Sequence, residues 1–203
     1  MSSRGGQSSV RPEQQAEGAT TRGKVPLMEL RAPAGGVLVV PMSREEFDAL
    51  PEMPHTEWWD EACVVTGGTT HRHARTVTAV SALLSAALRG RDLDVLAGAG
   101  WRLPDAEFAP DIAVAAPGPP DELLSSPPLL VVEVLSRSTR HIDLGRKRQL
   151  YAAGGLPWYW FVDLANNELV VLRNDAGTFV EVQRLTSGTT VGPVEVTVSV
   201  ADL

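Results

Sequence analysis

Apolar and polar positions along the chain switch between a helical period and a strand period, and the switches lay out a mixed α/β order. From His73 to Leu88 the apolar residues Val77, Val80, Leu83, Leu84, Ala87 and Leu88 recur at helical spacing, and Gly90 supplies a terminator. Ser43-Arg44-Glu45-Glu46, followed by Phe47 and Leu50, carries the capping-box signature of a short helix that Pro51 and Pro54 close. Strands are expected at Trp58 to Thr66, Val95 to Leu103 and Phe108 to Ala115. Leu129 to Leu135 is the most strongly apolar strand, interrupted only by Glu133, as a central strand covered on both faces should be. Ser138 to Ala153 reads as a helix that ends near Gly154-Gly155 and Pro157. Trp158 to Asp163 and Glu168 to Arg173 form strands around Asn166-Asn167, Thr178 to Gln183 adds another, and Val194 to Val200 alternates in strand fashion.

Composition narrows the picture. Residues 1–25 are rich in Ser, Gly, Gln, Arg and Glu without apolar period and read as a disordered tail, leaving 26–203 as one domain. No apolar run reaches membrane-spanning length, and Met1 to Lys24 lacks the hydrophobic centre of a signal peptide. Cys63 is alone, cannot form an internal disulfide and reads as a small buried side chain. A cytoplasmic protein is the simplest expectation. The net charge of -7 argues against a protein that coats nucleic acid nonspecifically, but a local basic patch matters more than the total. Arg137, Arg140, Arg146 and Arg148 crowd one stretch with Lys147 and His141, and are the candidate contacts to nucleic acid; a solvated face is the plainer reading.

The candidate chemistry sits in the same region. Glu133 lies in an otherwise apolar strand, so it must be paired, hydrogen-bonded or bound to a cation. Asp111 follows Pro110 at a strand start, where a turn or cap role would serve equally. Carboxylates from adjacent strands can hold Mg²⁺, with Mn²⁺ as substitute, and the carbonyl of Leu135 lies two residues on, on the face of Glu133. The chain has only two lysines, Lys24 and Lys147. An ammonium near the attacking water would stabilise charge in a phosphodiester transition state, which suits Lys147. Asp143 and Tyr151 stand four residues either side of it, as an orienting pair or an ordinary i,i+4 set. His71 and His73 lack a convincing zinc partner set, and no phosphate-binding nucleotide loop is present, so no nucleotide cofactor is expected.

Four segments in order carry a resemblance. Pro110-Asp111-Ile-Ala-Val, Leu130-Val-Val-Glu133-Val-Leu-Ser136-Arg-Ser-Thr139, Asp143-Leu-Gly-Arg-Lys147-Arg-Gln-Leu-Tyr151 and Gly155-Leu-Pro-Trp-Tyr159-Trp-Phe-Val-Asp163 closely resemble the Uma-two family. That bacterial group is assigned to endonucleases of the PD-(D/E)xK type. The resemblance implies a restriction-endonuclease-like α/β fold, a mixed central sheet flanked by helices. It implies Asp111 and Glu133 as metal ligands and Lys147 as a lysine migrated from the position held by Leu135. Glu57 and Asp60 fall where the family has an acidic turn, and His73 matches a histidine opening its first long helix. Two departures stand out: Trp58-Trp59 replaces smaller aliphatics, and Glu61 stands where glycine is common, so a positive-φ turn there would be strained or reshaped. The expected function is Mg²⁺-dependent endonuclease hydrolysis of DNA, with a homodimer as a plausible assembly. The alternative is an inactive nucleic-acid-binding or assembly protein that keeps the fold.

Overall fold

The computed structural model describes residues 30, 32 and 36–203; the expected tail, residues 1–25, lies outside them. The chain opens with β1 (Val37–Pro41), α1 (Arg44–Asp48), β2 (Thr56–Trp59) and β3 (Ala62–Thr66), then the long α2 (His71–Ala87). Next come β4 (Asp94–Ala97), β5 (Trp101–Leu103), β6 (Ala106–Phe108), β7 (Ile112–Ala115) and β8 (Leu130–Val134). Helices α3 (Arg140–Asp143) and α4 (Arg146–Ala153) connect β8 to β9 (Trp158–Asp163). β10 (Glu168–Asp175), β11 (Thr178–Leu185), β12 (Ser187–Thr189) and β13 (Thr197–Ser199) follow, and a 3-10 turn, Val200–Asp202, ends the chain.

A five-stranded sheet runs β1-β3-β2-β6-β5 and a six-stranded sheet runs β11-β10-β9-β8-β7-β4. All neighbours in the larger sheet are antiparallel except β8 and β9, which are parallel because the α3–α4 crossover carries the chain back. The period of two divides β8 between two cores. Leu130, Val132 and Val134 face α2 and join Val80, Leu84 and Leu88. Val131 and Leu135 face the opposite side, with Tyr151, Tyr159, Phe161 and the aromatic residues Trp59, Trp101 and Phe108. Glu133 shares this second face, between the two sheets, and there the site is built.

Several expected elements are subdivided. Trp58 to Thr66 is a hairpin, because Asp60 and Glu61 both take positive φ, 53° and 54°, and turn the chain. The expected strand Val95 to Leu103 parts at Gly98 (φ 68°), its halves entering different sheets. Phe108 to Ala115 parts at Ala109-Pro110-Asp111, where proline cannot donate to a ladder. The expected helix Ser138 to Ala153 breaks at Leu144-Gly145, where a Cβ on Gly145 would stand 2.5 Å from the His141 carbonyl oxygen. β1 is not among the expected strands, although Val37-Leu38-Val39-Val40 is a run of strand formers closed by Pro41, and it adds an edge strand. The capping box at Ser43 and Glu46 forms as read, and Trp158 to Asp163 forms as a strand.

Candidate active site

The pairing Ile112↔Val132 continues to set Asp111 opposite Glu133 on adjacent strands. The two are interlocked: Asp111 N–H donates to Glu133 Oε2 at 3.2 Å, and Val134 N–H donates to Asp111 Oδ2 at 2.7 Å. His73, on the first turn of α2, places Nε2 3.1 Å from the same Asp111 oxygen. Burial opposes the imidazolium of His73, but the bond to Asp111 outweighs it and lifts the pKa above the ordinary histidine value.

Lys147 projects from α4 into the space between the sheets. Its Nζ lies 2.7 Å from Glu133 Oε1, 3.0 Å from Glu57 Oε1 and 3.7 Å from Asp143 Oδ1. The Tyr151 hydroxyl donates to Glu133 Oε1 at 2.8 Å, and the Tyr151 ring centre is 5.5 Å from Nζ. The expected face of Asp143, Lys147 and Tyr151 therefore survives the break between the helices. Glu57, from the smaller sheet, accepts from Ala109 N–H at 3.0 Å and from the Trp59 indole at 3.3 Å. Its oxygens are committed to fixed donors, a geometry that positions Lys147. Leu135 packs in the second core and does not line the cavity beside these groups.

Electrostatics follow from the count of charges. Glu57, Asp111, Glu133 and Asp143 line one cavity of about 340 Å³ with Lys147 as its buried cation. Burial opposes the ammonium, but Glu133 and then Glu57 outweigh it and hold Lys147 well above the ordinary lysine value. Glu133 is pushed well above the carboxylate range, first by burial; Lys147 pulls it down, but Asp111, Asp143 and Glu57 add to the rise. Asp143 is raised for the same leading reason. The lysine keeps its proton; burial first, and then the surplus of carboxylate charge, favours an extra one on Glu133.

That surplus equally suits a divalent cation. Asp111 is the partly exposed carboxylate of the interlocked pair, and its Oδ1 has no hydrogen bond among the described residues. Among those residues no three His, Cys, Asp or Glu side chains form a ready cage. Mg²⁺ does not need one, since it binds through one or two carboxylates and keeps several waters. The donor chemistry fits.

The arginine run is not one patch. Arg140 pairs with the buried Asp163 at 2.6 Å, Arg146 clasps Asp60 in the β2–β3 turn, and Arg148 donates to the Phe179 carbonyl at 2.8 Å. Arg137 lines the cavity. The cavity is also lined by Thr66-Gly67-Gly68-Thr69-Thr70, not among the expected site residues, which leads into α2 through the Thr70 cap. The signal of this segment was the capping threonine beside a Gly-Gly turn. Cys63 is fully buried, and burial pushes its thiol up to about 11.

Among solved structures the chain is similar to a putative nuclease belonging to DUF820 from Anabaena variabilis. The two share 18% identity, the TM-score is 0.66, and the match covers 80% of this chain and 97% of that one. No curated protein matches it. The fold is restriction-endonuclease-like, a mixed α/β arrangement. The model of the Uma2 (Uma-two) family, described as "Putative restriction endonuclease", matches residues 44–201, and the chain belongs to that family.

Proposed function

We propose that this protein is a metal-dependent nuclease that hydrolyses phosphodiester bonds of DNA. One observation carries the reading: among the described residues four carboxylates line a cavity whose side-chain cations are Lys147, Arg137 and the His73 imidazole bonded to Asp111, leaving negative charge around Lys147 that a divalent cation would balance. Asp111 and Glu133 would hold Mg²⁺, or Mn²⁺ in its place. When bound, the ion would polarise the phosphodiester and stabilise charge on the leaving oxygen. Lys147 stays protonated and supports the attacking water and the developing negative charge. Glu57 and Asp143 position Lys147, and Tyr151 and His73 orient Glu133 and Asp111. Cutting both strands calls for two sites or repeated encounters, and a homodimer would supply the two sites.

The test is cleavage of plasmid and linear DNA with Mg²⁺ or Mn²⁺ by the wild type, Glu133→Gln and Lys147→Met, with folding checked by circular dichroism. Cleavage by the wild type that both folded variants lose supports the assignment; cleavage unchanged in both sinks it. A second reading, a DNA-binding protein that keeps the fold without cutting, draws on the internal engagement of both Glu133 oxygens. It predicts binding without metal-dependent cleavage.

A further inference from the structure

An anionic strand approaching this cavity faces Glu57, Asp111, Glu133 and Asp143, so beyond the divalent cation proposed above, attraction falls to the cationic side chains that line it. Among the described residues two Lys or Arg side chains line the cavity, Lys147 and Arg137, and the lining His73 is engaged by Asp111. Lys147 is buried and held by three carboxylates. Arg137 is exposed and has no ion pair or hydrogen bond among the described residues, whereas its sequence neighbours Arg140, Arg146 and Arg148 are engaged elsewhere. The loop carrying it is fixed at its base. Ser136 Oγ lies 3.0 Å from Ser138 Oγ and 2.8 Å from Thr139 Oγ1, and it accepts from Thr139 N–H at 3.1 Å. A rigid base lowers the entropy lost when the side chain takes a ligand. The lining segment Thr66 to Thr70 contributes hydroxyls and backbone but no Lys or Arg.

We propose that Arg137 seats a backbone phosphate of the bound strand at the rim of the cavity, while Arg140, Arg146 and Arg148 serve the fold. This rests on the nuclease reading above. The planar guanidinium can meet two phosphate oxygens at once, which fixes the register of the strand without reading its sequence. Lysine at this place would supply charge without the fork.

The test is equilibrium binding of fluorescein-labelled DNA duplexes of several sequences to the full chain in Ca²⁺, across a series of KCl concentrations. Arg137→Ala is expected to weaken binding alike on every sequence and to lower the slope of log K against log [KCl] by about 1. Arg137→Lys should restore the slope but not the full affinity, and Arg146→Ala should leave the slope at the wild-type value. A wild-type slope in Arg137→Ala, or an equal loss in Arg146→Ala, overturns the assignment to Arg137 while DNA binding itself stands. A wild-type chain that binds no DNA overturns both this inference and the nuclease reading.

Discussion

The phenol of Tyr151 and the ammonium of Lys147 converge on one oxygen, Oε1 of Glu133, from the same face of α4. The hydroxyl thus fixes where that carboxylate points, and the two oxygens of Glu133 become inequivalent. Tyr151→Phe keeps the buried ring and its packing against Phe108 and Tyr159. Leaving a buried acceptor without this hydrogen bond should lower stability by about 1–3 kcal/mol. Urea unfolding with an unchanged m-value would register this, and cleavage should fall as Glu133 loses its orientation. Wild-type values in both assays would remove Tyr151 from the site.

Lys147 tolerates replacement poorly for two separate reasons. Lys147→Met strands Glu133 and Glu57 in a buried space, a loss of about 3–5 kcal/mol when a buried pair is broken. Lys147→Arg keeps the charge but puts a planar fork where a compact ammonium meets three carboxylates. Arginine is therefore expected to preserve more stability than methionine, yet to restore little cleavage. Urea midpoints and turnover measured on the same preparations separate the two effects.

The raised carboxyl of Glu133 has a definite sign for pH. In the window from its ordinary value of 4.5 up to the elevated folded value, the native state holds more protons than the unfolded chain. Glu133 therefore contributes stability that is fully present below 4.5 and is lost as pH rises through the folded pKa. Asp143 acts in the same direction from its ordinary value of 3.8. Glu133→Gln should flatten this decline in a series of urea midpoints against pH. A slope identical to that of the wild type would mean that Glu133 does not carry it.

The β2–β3 turn should accept glycine with profit. Glu61 holds φ 54° and Asp60 φ 53°, a left-handed conformation that costs an L-residue roughly 1–2 kcal/mol. Glu61→Gly relieves that cost but gives the unfolded chain more freedom, so a net gain of about 0.5–1 kcal/mol is expected in thermal unfolding. Asp60→Gly should gain less, because it also removes the partner of Arg146.

The turn shows where the sequence was opaque. With Glu61 in place of glycine only the resemblance, through its acidic turn, pointed to a reversal, and the apolar residues on either side of Asp60-Glu61 read as one strand. The capping box at Ser43 and the 3.6 period of α2 were legible because each is a local pattern. The candidate site was legible in its parts, since a lone glutamate in an apolar strand and a lone lysine in the described fold are conspicuous. Their joining was not. Glu57 reaches Lys147 across 90 positions of chain, and the neutral fates of Arg140, Arg146 and Arg148 depend on residues from β9, the β2–β3 turn and β11. Such pairings are tertiary facts that no periodicity encodes.

Lys147 is held at once by Glu133 of the larger sheet and Glu57 of the smaller. The ammonium acts as a rivet through both layers. Neither layer can peel away while the other keeps the lysine dry, because parting them floods a buried charge cluster. The proposed machinery for cutting and the cohesion of the two layers thus share one fastening, and a chain loosened at that seam is expected to lose its chemistry before its helices.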